Sequence, residues 1–149
     1  MLFAILFGIL FTIQITRAQG TVPNTSPIAC DAQSALRLAD NSEEIVGISP
    51  EKAIFVDLGA AWCSLCKIYS PTTKASALRY GFTYIHIDWE KSREFVDACG
   101  ITGAPTYTVF NNGYRFRTIQ LPQWQNQGGS ASQIDAVIKK AAEDLRIYP

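Results

Sequence analysis

The hydrophobic positions of this chain fall into short blocks whose spacing switches between two periods. Residues 53–60 (AIFVDLGA) form an apolar run broken by one acid, Asp57. An unalternating run of that length reads as a strand covered on both faces. Residues 82–88 (FTYIHID) and 106–110 (TYTVF) are rich in β-branched and aromatic side chains and read as two more strands. Residues 114–119 (YRFRTI) alternate, and they follow Asn111-Asn112-Gly113. Asn and Gly tolerate positive φ, so this stretch predicts a tight turn and an antiparallel return strand. Between the strands the apolar spacing is helical. Ala32, Ala35, Leu36 and Leu38 predict a short helix within residues 31–40. A longer one runs from Ser64 to about Arg79 with Pro71 inside it, and a short one lies within residues 91–99. Ser130, with Gln133 three residues on, makes a capping box for a last helix reaching about Leu145. Strands alternating with helices and closing on a hairpin predict an α/β fold: a mixed central sheet with helices on both faces.

The beginning of the chain breaks this pattern. From Leu2 to Ile15 it is almost wholly apolar, with no Lys or Arg before Arg17. The run falls short of the roughly 20 residues a membrane span needs and suits the apolar region of a secretory signal. Thr16-Arg17-Ala18 offers small residues at −3 and −1 of a cut after Ala18. The expectation is a signal peptide over residues 1–18, an unstructured leader over 19–29 rich in Thr, Pro, Asn and Ser, and one domain over 30–149. It places the mature protein in the periplasm or outside the cell, with no membrane span after cleavage; retention as an anchor is the alternative.

Composition narrows the partners. The 149 residues suit one domain, and 48% are hydrophobic, enough for a core that does not depend on disulfides. Lys plus Arg number 13, as do Asp plus Glu, so no excess charge points to nucleic acid or an anionic surface.

The candidate chemistry lies between the first strand and the long helix, in AAWCSLCKIYSP, residues 60–71. Cys63 and Cys66 stand at i and i+3, which share a helix face and put the Cα atoms roughly 5–5.5 Å apart, within disulfide range. Cys63 would sit at the helix N-terminus, where unpaired N–H groups and the helix dipole favour a thiolate. The thiolate is the attacking species, so Cys63 is the candidate nucleophile and Cys66 the resolving thiol. A structural staple is the competing reading. A zinc site needs about four ligands, and only Cys30, Cys99 and His86 remain, none repeating the spacing. No metal is expected. His86, the only histidine, reads as a core or edge residue, and Lys67 as a solvated helix residue.

Several of these stretches together resemble the thioredoxin family, over about residues 53–145. Val56-Asp57-Leu58-Gly59-Ala60-Ala61-Trp62-Cys63 resembles the family's strand into its active-site turn, with Asp57 where the family keeps a buried acid. Pro71 stands where the family kinks this helix. Gly100-Ile101-Thr102-Gly103-Ala104-Pro105-Thr106 is similar to the loop bearing the family's cis-proline, and Phe110-Asn111-Asn112-Gly113 to its hairpin. The chain departs from the family in having Ser64-Leu65 between the cysteines and Tyr84 where a lysine often accompanies the buried acid.

The resemblance implies a thioredoxin-like fold and a protein thiol–disulfide oxidoreductase that needs no dissociable cofactor. It implies a cis bond at Pro105, with the Ala104 backbone beside Cys63 to pair with an extended substrate and Trp62 as a lid over the thiols. Asp57 would take the proton of Cys66. In such a fold the first and third helices share a sheet face, so Cys30 and Cys99 could form a second, structural disulfide. Two free thiols, or Cys99 as a second redox centre, are the alternatives. The expected partners are protein thiol or disulfide substrates and an upstream redox protein, met by a monomer. The direction of exchange leans to reduction. The competing class is a binding or chaperone module without turnover, drawn from the apolar-aromatic Leu121-Pro122-Gln123-Trp124-Gln125.

Overall fold

A computed structural model describes residues 27–120 and 131–148. The chain order is α1 (Ala32–Leu38), a 3-10 turn (Ser42–Ile45), β1 (Ile54–Gly59), α2 (Ser64–Arg79), β2 (Thr83–Asp88), α3 (Arg93–Ala98), β3 (Thr106–Asn111), β4 (Tyr114–Gln120) and α4 (Ala131–Asp144). The four strands form one sheet in the order β2-β1-β3-β4. β1 and β2 are parallel, with Asp57 opposite His86, while β3 lies antiparallel to both β1 and β4. The predicted turn closes the hairpin, with Asn112 and Gly113 both at positive φ, 51° and 84°.

Each residue of β1 is buried, as its unalternating sequence predicts. Ile54, Val56 and Leu58 join the cluster under α1 and α3, with Ala32, Ala35, Ile85, Ile87, Phe95 and Val96. Phe55, on the opposite face, joins Tyr107, Val109 and Ala77 of α2, and Ile134 and Ile138 of α4. Helices therefore cover both faces. Asp57 and Gly59 share the Phe55 side by the two-residue period of a strand. α2 and α4 are tied by Asp135, whose carboxylate accepts from Ser76 at 2.5 Å and Tyr80 at 2.7 Å.

The regular elements match the predicted ones, with differences at the ends. α1 stops at Leu38, short of the predicted residue 40, because Ala39 turns extended (φ −62°, ψ 125°). Asp40 and Asn41 then run beside β2. The Asp40 N–H donates to the His86 carbonyl (2.8 Å), the His86 N–H to Asn41 Oδ1 (3.0 Å), and Asn41 Nδ2 to the Tyr84 carbonyl (3.1 Å). This segment satisfies backbone groups on the edge strand that would otherwise be open to pairing. The 3-10 turn that follows has no counterpart in the sequence reading.

Among the described residues, no helix is long and apolar enough to cross a membrane. The signal segment, most of the leader, the Ser130 cap and residues 121–125 lie outside them. Residues 27–29 have no regular structure, yet Ile28 packs on the core and the Ala29 N–H donates to Ser34 Oγ at 3.1 Å.

Candidate redox site

The end of β1 hands the chain directly to α2. The Cys63 N–H donates to the Ala60 carbonyl (3.0 Å), and Cys63 becomes the N-cap of the 16-residue helix. Its Sγ accepts from the Cys66 N–H at 3.1 Å, so the sulfur occupies the place of a capping oxygen and faces the positive end of the helix dipole. Cys63 and Cys66 are joined as a disulfide with Cα atoms 5.3 Å apart, inside the range their spacing predicts. Both are nearly buried, at 5% and 4% exposure. Pro71 lies inside α2 and leaves one helical hydrogen bond unmade.

Asp57 is fully buried. Its Oδ2 accepts from Ser70 Oγ at 2.7 Å and from the Tyr84 hydroxyl at 2.8 Å. Ser70 lies one helical turn beyond Cys66, on the same side of α2. Burial pushes the Asp57 carboxyl above its ordinary value. The hydrogen bonds from Ser70 and Tyr84, then the nearby His86, oppose that shift. Tyr84 stands where the lysine was missed and answers the acid with a neutral donor. Its own burial, reinforced by the Asp57 charge, raises the phenol and keeps it protonated.

The other predicted residues fall around this centre. The Ala104–Pro105 bond is cis. Pro105 is buried, and Ala104 packs on the core cluster that holds both cysteines. Trp62 is 61% exposed and meets Trp89 edge-on, with ring centres 6.3 Å apart. Cys30 and Cys99 form a second disulfide (Cα–Cα 4.8 Å) that joins the residue before the α1 cap to the end of α3. Arg115 of β4 lies over it, donating to the Cys99 carbonyl at 2.8 Å. No group of three or more His, Cys, Asp or Glu side chains is placed to hold a metal among the described residues.

Sequence reading missed the neighbours of Cys66. A cleft of ≈ 300 Å³ is lined by Gly59, Ala60, Cys66, Ser70, His86 and Asp88. His86 sits on the edge strand with its Nδ1 3.2 Å from Asp40 Oδ2. The available signal was Gly59, since glycine inside a buried strand often marks a close approach.

A buried disulfide at a helix N-terminus, with an acid of raised pKa bonded to the serine one turn beyond it, is an arrangement chemically able to support thiol–disulfide exchange. The family model described as Thioredoxin matches residues 36–143. The chain belongs to the thioredoxin family. It is 32% identical over 77 residues to Thioredoxin domain-containing protein 8 of Mus musculus, covering 50% of this chain and 61% of the mouse protein. The chain thus spans less than two thirds of that relative. It is 33% identical over 79 residues to Thioredoxin of Mycoplasma genitalium, covering 52% of this chain and 76% of that protein. The solved oxidised thioredoxin of Plasmodium falciparum is similar at a TM-score of 0.52 and 28% identity, over 68% of this chain and 91% of that one. The fold is thioredoxin-like.

Proposed function

We propose that the protein is an exported thiol–disulfide oxidoreductase that reduces disulfides in protein substrates. The observation that carries this reading is the Cys63–Cys66 disulfide at the α2 N-terminus, with Ser70, one helical turn beyond Cys66, hydrogen-bonded to the buried Asp57 of β1. In the dithiol form, the Cys63 thiolate attacks one sulfur of a substrate disulfide and the other leaves as a thiolate. Cys66 then loses its proton to Asp57 and attacks Cys63. The Cys63–Cys66 bond forms, the mixed disulfide breaks, and two electrons pass to the substrate. A dithiol redox protein resets the pair, with no dissociable cofactor. Trp62 and the Ala104–Pro105 backbone frame the approach of an extended substrate segment.

Export rests on the apolar run Leu2 to Ile15, the small residues before a cut after Ala18, and the second disulfide, which persists in oxidising compartments. The test is reduction of insulin by the protein in the presence of dithiothreitol. Catalysed precipitation that disappears in Cys63→Ala supports the reading. Wild-type protein that gives no acceleration overturns it in favour of a binding module.

A further inference from the structure

His86 is placed more specifically than an edge residue needs to be. Its ring lies over Gly59: a Cβ built there would stand 2.8 Å from His86 Nε2 and 3.7 Å from Cys66 Cβ. Nε2 and Cys66 therefore approach the same point, possible because residue 59 has no side chain. With the Asp40 carboxylate 3.2 Å from Nδ1, a neutral imidazole that donates there leaves its Nε2 lone pair on the side of Gly59 and Cys66. A base held by a third group beside a reacting thiol is the arrangement proton transfer requires. On the other side, Asp57 is fully buried, and its two hydrogen-bond partners are both donors. A proton that reaches Asp57 needs a way out, and one cleft is lined by Cys66 and Ser70 of α2 and by His86 and Asp88 of β2.

We propose that His86 is the proton-transfer residue of the resolving step, taking at Nε2 the Cys66 proton first held by Asp57 and releasing it to water in the cleft, with Asp40 as its positioning residue. This rests on the exchange reading above. In that step the Cys66 S–H bond breaks, the Cys63–Cys66 bond forms, and the electron pair of the broken mixed disulfide leaves with the substrate thiolate. The proton passes from Asp57 to His86 to water, so no further oxidant is needed. Asp40, after α1, contacts the ring; Asp57 on β1 interacts with it electrostatically; Asp88 on β2 and Lys67 on α2 line the same cleft. Lys91 lies 3.9 Å from Asp40 and 3.6 Å from Asp88, which partly neutralises both.

The test is stopped-flow reaction of the reduced protein with an aromatic disulfide. The first thiol released reports attack by Cys63, and the second reports resolution by Cys66. His86→Ala is expected to leave the first phase unchanged and slow the second roughly 100-fold, the lower range for a lost proton-transfer group. Free imidazole, entering the space the ring vacates, is expected to restore the second phase. Gly59→Ala should slow the second phase likewise, because its Cβ displaces the imidazole tip and meets Cys66 only at ordinary contact distance. A second phase in either variant as fast as wild type across pH, or a slow one in His86→Ala that imidazole does not move, overturns the assignment. Wild-type protein that releases no second thiol instead overturns the exchange reading itself.

Discussion

The molecule holds two disulfides of opposite design. Cys63–Cys66 closes a loop of three residues within one helical turn; Cys30–Cys99 bridges 69 residues and two helices. Exposure alone would make the second the easier to attack, since Cys30 is half-buried and Cys63 only 5% exposed. Arg115, with Nη1 3.6 Å from Cys30 Sγ, adds a cation there as well. Two differences set the bonds apart. The long bridge constrains the unfolded chain more, which stabilises the fold by about 2–3 kcal/mol beyond what the three-residue loop gives. Opening the short one yields a Cys63 thiolate at the end of a 16-residue helix, where the dipole and free N–H groups receive it. On the proposed function, the same covalent bond is a tool in one place and a clamp in the other, because of what its rupture releases.

Mutations sharpen this contrast. Cys63→Ala should abolish exchange in the insulin assay, while the double change Cys30→Ala/Cys99→Ala should leave it active; loss in both would erase the distinction. Cys66→Ala should trap mixed disulfides visible on non-reducing gels, and a trap formed by Cys63→Ala instead would reverse the order of attack.

Asp57→Asn should slow resolution roughly 100-fold while leaving the first attack alone. It should also stabilise the fold in a pH-dependent way. The folded state holds the Asp57 proton more tightly than the unfolded chain, so wild-type stability falls as pH rises from about 3.9 toward the higher folded value. The gain on Asp57→Asn is therefore absent below that window and complete above it, as thermal melts at acid and alkaline pH would reveal. Equal melting at both ends would mean that the carboxyl costs the fold nothing. The smallest effect belongs to the clamp: removing Cys30–Cys99 should lower unfolding stability by about 2–4 kcal/mol in urea titrations. An unchanged midpoint would deny it a structural role.

Much of this was legible in the sequence. The β1 run, the hairpin at Asn112-Gly113 and the cysteines at i and i+3 are local signals whose physics is complete within a few residues. Tyr84 as the neighbour of Asp57 was legible only through the family resemblance. What escaped depends on segments far apart in the chain. His86 meets Asp40 across 46 residues because α1 ends early and Asn41 pairs with the edge strand. No periodicity encodes that pairing. Gly59 marked the gap, but a missing side chain does not say which ring will fill it.

The most direct test of the two-disulfide account is stepwise equilibration of the oxidised protein in glutathione buffers, with alkylation and mass spectrometry to assign each thiol. The account predicts that Cys63 and Cys66 become alkylated together at poises where Cys30 and Cys99 are still joined. Opening of Cys30–Cys99 first, or of both bonds at one potential, would contradict it.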